Sequence, residues 1–298
     1  RYLQRNPHLS FSQLVEDCPD HGAACKLYPL SANIVTAAYH GGFVTSACGV
    51  TIYNGTALPD EYRGNSFTCE PAGNLVHRDV LVPDGVTFVA KRAYPTNEFL
   101  ASPDNWFRPV NLAVGPDGAL YVCDMYRKTI EHPEYLPEAT RKVTDFESGK
   151  TMGRIYRIVA ATPNAKHQTS KKFQTQKKID LGKAGDAALC DQLNNPNSWW
   201  RMTAHRLLLQ REIRHTKRYL EKLVLSAPTP ETRVHALNIL NASASLPEEL
   251  IEGALSDTDP GVREHAIRLA ESMLPGTAVF ALAEKLRANQ PEEFRRYF

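Results

Sequence analysis

The chain has 298 residues, 42% apolar and 23% charged, the balance of a soluble globular protein with room for two domains. Lys and Arg number 35 against 33 Asp and Glu, a formal net charge of +2, so nothing global points to nucleic acid or to a polyacidic partner. No uninterrupted apolar run reaches the length needed to span a bilayer, and no charged-then-apolar signal peptide is present.

The opening "RYLQRNPHLSF" has no initiator Met and no obvious domain start, so the chain reads as a piece of something longer or as a processed form. Six cysteines follow with no C-x-x-C, C-x-x-C-H or zinc-finger spacing. Cys48, Cys69 and Cys123 sit in strand-like runs, where Cys usually serves as a small buried hydrophobe. Cys18 and Cys25 flank a Pro/Asp/Gly loop, and a disulfide between them would suit an exported protein.

Up to about residue 160 the pattern is short strands rich in Val, Tyr, Phe, Thr and Ile, broken by turn residues. Two units align on Pro-Asp-Gly, at Pro83-Asp84-Gly85 and Pro116-Asp117-Gly118, each with a strand entering and a strand leaving. Pro sets φ for the second turn position, Asp bonds its own backbone and Gly takes the left-handed conformation. Repeated units of this kind predict a β-propeller portion, all-β with incomplete blades, over residues 1–160; a plain sandwich is the alternative.

Residues 161–183, lysine-rich and without apolar periodicity, read as an exposed basic linker. From 184 to 298 the period becomes helical: Trp200, Ala204, Leu207 and Leu208, then Val234, Leu237 and Leu240, then Val262, Ala266 and Leu269. Arg201, Arg233 and Arg263 recur at 32 and 30 positions (233−201, 263−233), each in the first turns of a helix that follows Pro. That repeat length predicts an all-α HEAT-like solenoid. In "DTDPGVR" the Asp suits a helix cap, the Pro a first turn, and the Arg a tie between repeats. Trp199-Trp200 reads as solenoid core or as a cap against the propeller.

In a blade, the entry to the first strand and the exit of the second share a face. That would gather Arg108 and Asn111 with Asp124, Tyr126 and Arg127, and Asn74, His77 and Arg78 with Lys91 and Arg92. Such a mouth suits an anionic or hydroxylated ligand, with guanidinium groups for carboxylates and His77 as a base. The plainer readings are that Asp124 closes a turn, that His77 is structural, and that Arg78 and Arg127 pair with carboxylates such as Glu70 or Glu131. His132, before Pro133, reads as shaping its loop. No phosphate-cradling Gly loop, G-x-S-x-G elbow or H-E-x-x-H occurs.

"FVTSACGVTIYNGTALPDEYRGNSFTCEPAGNLVHR", "WFRPVNLAVGPDGALYVCDMYRKTIEHPEYLP", "GRIYRIV" and "PNSWWR" together resemble the glucose/sorbosone dehydrogenase-like propellers. The nearest resemblance is to the membrane-bound dehydrogenase proteins of planctomycete-type bacteria, in which HEAT-like repeats and a cytochrome c domain follow the propeller. It implies a quinoprotein-type oxidation of a sugar or alcohol, with pyrroloquinoline quinone and Ca2+ as cofactors and His77 as the catalytic base. Arg78, Arg108, Asn111, Asp124 and Arg127 would bind the cofactor; the metal ligands are left unassigned. Electrons would pass to a haem on a cytochrome c domain or protein elsewhere, since the chain has no haem-attachment motif. The resemblance also implies export to the periplasm or cell envelope. Too few blades fit before the linker to close a propeller, so it implies a fragment of a longer protein. The alternative is a non-catalytic propeller/HEAT scaffold that binds a protein partner through the solenoid, or a carbohydrate.

Overall fold

In the computed structural model of the chain, residues 25–32, 42–84, 87–161, 180–211 and 215–273 are described. The N-terminal half contains two antiparallel sheets. In the first, β1 (Cys48–Ile52), β2 (Ser66–Glu70), β3 (Leu75–Asp84) and β4 (Thr87–Arg92) lie in sequence order. A two-residue β5 (Leu100–Ala101) pairs with the start of β3. The second sheet is β6 (Pro109–Val114), β7 (Leu120–Asp124) and β8 (Arg154–Ile158), with a short α1 (Glu138–Val143) before β8.

Alternation drives the packing. Phe67 and Cys69 of β2, Val76 of β3, Leu112 of β6, and Leu120 and Val122 of β7 project into one core with Tyr53 and Phe107. β1 lies so close to β6 that a Cβ on Gly49 would stand 2.6 Å from the Asn111 Cα, at a backbone φ of +57°. Only glycine fits there.

The propeller expectation fails. Among the described residues there is no closed barrel or propeller: five strands in one sheet and three in the other pack together without repeating a blade. The Pro-Asp-Gly alignment that suggested a repeat joins unlike places. Pro83 and Asp84 are paired ladder residues, opposite Phe88 and Thr87, whereas Pro116 and Asp117 lie in the turn between β6 and β7. Pro fixes φ near −65°, which serves an edge-strand end and a turn alike, so the tripeptide alone does not define a repeat. Gly85, the strand expected in the opening residues, most of the linker and Cys18 lie outside the described residues.

From Asp186 the chain is helical: α2 (Asp186–Gln192), α3 (Ser198–Leu209), α4 (Lys217–Ser226), α5 (Pro230–Ala242), α6 (Glu248–Leu255) and α7 (Pro260–Met273). Successive helices pack in pairs, and α3, α5 and α7 neighbour one another in one layer, with α2, α4 and α6 in the other. Leu189, Leu208, Leu220, Leu237, Leu240 and Ile251 fill the space between. The recurrent arginines bond the carbonyls that precede their own helices: Arg201 to Asn195 and Pro196, Arg233 to Ala227, Arg263 to Asp257 and Thr258. Arg233 also pairs with Asp257 of the next repeat, and Asp259 caps α7 by accepting from Gly261 N and Val262 N. No helix among the described residues is long and apolar enough to cross a membrane.

The two halves meet on the second Pro-Asp-Gly turn. Asn197 donates from Nδ2 to the Gly115 and Pro116 carbonyls, at 3.0 and 3.2 Å, while its Oδ1 accepts from Trp199 N as the cap of α3. Trp200 Nε1 donates to the Pro116 carbonyl at 2.8 Å, and Arg63 bridges the Gly55 and Pro196 carbonyls. From the other side, the buried Tyr53 hydroxyl donates to the Gly118 carbonyl. Losing a cap, one buried bond and one partly buried bond at once, Asn197→Ala is expected to cost about 2–3 kcal/mol. Thermal unfolding followed by far-UV circular dichroism would read this as an earlier helical transition; a superimposable curve would contradict it.

Candidate functional site

His77 and Arg78 are consecutive on β3, so their side chains leave opposite faces of the sheet. They cannot line one pocket. His77 shares its face with Asp79, two residues on, and its Nε2 lies 3.0 Å from Asp79 Oδ1. Its Nδ1 lies 2.6 Å from Glu98 Oε2, supplied by the loop before β5. The Glu98 carboxylate is wholly buried and also accepts from Arg92 at 3.1 Å and from Tyr28 N at 3.1 Å. Arg92 donates in addition to the Lys26 carbonyl, which pins the segment around residues 26–28 to the edge of the sheet.

Two carboxylates on one imidazole decide its charge. Burial alone pushes His77 down, but the hydrogen bonds to Asp79 and Glu98, and then their charges, outweigh it and lift His77 to about 9. At neutral pH both ring nitrogens therefore donate, and the ring has no lone pair with which to accept a proton. A pKa raised above its ordinary value stabilises the fold fully below about pH 6.5, and the benefit is lost as pH rises through 9.

On the other face, the Arg78 guanidinium stacks 3.9 Å from the Tyr62 ring centroid. Its donors go to Asn65 Oδ1, the Tyr94 hydroxyl and the Glu61 carbonyl rather than to a carboxylate. Glu70, the carboxylate expected for it, accepts instead from Thr45 and Ser46.

Arg108, Asp124 and Arg127 do gather at one end of the β6–β7 hairpin. Asp124 Oδ1 accepts from Arg108 N at 2.7 Å and from Tyr126 N at 2.8 Å, which fixes Tyr126 at a φ of +49°. A non-glycine residue is held in that region only by its surroundings. Arg108 is 2% exposed and donates to three main-chain carbonyls: Pro71 and Lys128 at 2.7 Å, and Arg127 at 3.0 Å. Arg127 reaches the Phe146 carbonyl rather than Glu131. Asn74, also in the left-handed region at a φ of +53°, donates to the carbonyls of Phe107 and Asn105 and joins the two sheets. Asn111 stands apart, exposed, its Oδ1 accepting from Leu112 N. The buried Asp124 Oδ2 makes no hydrogen bond.

The mouth thus divides into three places: the His77 clamp, the Arg78 stack and the Arg108 knot. Pyrroloquinoline quinone needs cations free to meet its carboxylates, and Arg78 and Arg108 are already spent on ring faces and carbonyls. Among the described residues no group of three or more His, Cys, Asp or Glu side chains could hold a metal ion. As placed, the two guanidinium groups do not fit the carboxylates of the quinone. Glu98 and Asp79, which set the charge of His77, were not foreseen. Asp79 was legible from the i, i+2 alternation of β3, whereas nothing in the spacing marks Glu98.

Two antiparallel sheets whose hairpin turn is gripped by a helical repeat define the class of this protein. A family model described as a domain of unknown function (DUF7133) matches residues 1–162, more than half of the chain, and the protein belongs to that family. No curated protein and no solved structure matches the chain. The family's description names no dehydrogenase.

Proposed function

We propose that the protein is a non-catalytic scaffold, in which the two-sheet unit anchors a helical repeat that offers its surface to a protein partner. The carrying observation is the clamp on His77, whose two ring nitrogens lie against Glu98 and Asp79, an arrangement that raises it to about 9. A base that removes a hydroxyl proton must be neutral and must face its substrate. The engaged guanidinium groups of Arg78 and Arg108 support the same reading, because they bind the fold to itself. So does the grip of Asn197 and Trp200 on the 115–118 turn, which couples the two halves as a mechanical unit.

The rival, quinone-dependent oxidation of a sugar or alcohol with electrons passing to a haem elsewhere, makes an opposite demand on the same residue. A dye-linked dehydrogenase assay with pyrroloquinoline quinone, Ca2+ and a panel of aldoses and alcohols separates the two. The scaffold reading expects no dye reduction above the protein-free rate at any pH between 6 and 9. Turnover that disappears in His77→Gln would overturn it.

A further inference from the structure

Three histidines stand at a spacing of 30 in the helical half, His205, His235 and His265 (235−205, 265−235). They fall on α3, α5 and α7, the neighbours of one layer, and all are half-buried. The first two touch: Nδ1 of His205 lies 2.9 Å from Nδ1 of His235, with ring centroids 5.0 Å apart and planes at 63°. Two imidazole nitrogens at that distance bond through one proton, one ring donating and the other accepting. The contact exists only while one of the rings is neutral. A second proton would set two N–H groups and two positive charges against each other.

The surroundings offer that charge no relief. The groups that act on His235 are His205 and Arg201 from α3 and His265 from α7. The groups that shift either ring include none from α2 or α4, and Glu231 of α5 acts on Arg201 rather than on the two histidines. Burial, then the neighbouring His205, Arg201 and His265, push His235 down to about 4, and burial pushes His205 down as well.

We propose that the His205–His235 contact is an acid-sensitive latch between the first two helical repeats, closed at neutral pH and opened by the second proton. Opening loosens α3 from α5, and α3 is the helix whose first turn carries Asn197 and Trp200 onto the β6–β7 turn. Acid therefore weakens the coupling of the two halves. The sign follows from linkage. A histidine held below its ordinary value stabilises the fold above about pH 6.5, and that stability is lost as pH falls toward 4.

Native-state hydrogen exchange on the whole chain, corrected for the pH dependence of intrinsic exchange, tests the latch. Between pH 7 and pH 5 the opening equilibrium of the α3 amides is expected to rise roughly 20-fold in the wild type. In His235→Asn, whose amide bonds His205 without titrating, it should rise less than about threefold. A wild-type rise kept in full by His235→Asn overturns the proposal. So does an NMR titration of the unmutated protein that places His235 at its ordinary value near 6.5, a readout that does not depend on the variant folding.

Discussion

Glu98→Ala is expected to destabilise the β unit by about 3–5 kcal/mol, because it removes the carboxylate shared by a buried Arg92 and a buried imidazolium, one of the two carboxylates on His77. Glu98 is the shared acceptor of the clamp: His77, Arg92 and Tyr28 N all donate to it, and its side chain has no exposure to water. Removing one partner of a buried ionic group costs more than the group contributes as a whole, since the other charges stay desolvated. Glu98→Gln keeps the shape and an acceptor oxygen but not the charge, and should cost about half as much. The two variants should also differ in pH response from the wild type. The wild type loses up to about 3 kcal/mol between pH 6.5 and 9 as His77 gives up its proton, and Glu98→Gln loses less because its His77 starts lower. Urea denaturation at pH 6.5 and pH 9, followed by tyrosine and tryptophan fluorescence, reads both effects. Equal stability of Glu98→Ala and wild type at pH 6.5 would remove the clamp from the account.

Arg108→Ala should cost about 4 kcal/mol, through a different mechanism. The guanidinium is bonded to three carbonyls at the junction of the sheets, those of Pro71, Arg127 and Lys128. An orphaned buried carbonyl costs about 1–3 kcal/mol, and the side chain's own packing is lost with them. Arg108→Lys should recover only part, since an ammonium cannot reach three diverging acceptors in a fixed fork. Urea midpoints of the three proteins at one pH would show the order wild type, Lys, Ala. A Lys variant as stable as the wild type would mean that charge, rather than the fork, holds the knot.

The helical half was legible because each signal there is local. Apolar residues at helical spacing, a Pro at the first turn and an Arg that reaches back to the preceding carbonyls are written within about ten residues of sequence. The strands were equally legible, and so was the Arg108–Asp124 neighbourhood, which follows from antiparallel pairing across one hairpin. The sheet arrangement was not. Whether strands close into blades depends on how distant strands pair, and the approach of β1 to β6 through Gly49 leaves no local mark. The two Pro-Asp-Gly tripeptides misled because turn chemistry specifies a bend or a strand end without saying which strand follows. His77 and Arg78 do not share one mouth, since period-two alternation sends neighbours on β3 to opposite faces.

The role of His77 divides a scaffold from an oxidase, and its protonation is directly measurable. An NMR titration of the His77 ring, assigned by comparison with His77→Gln, should show an imidazolium through neutral pH that deprotonates near 9. A ring that titrates at or below the ordinary value near 6.5 would leave a neutral base at work and contradict the account.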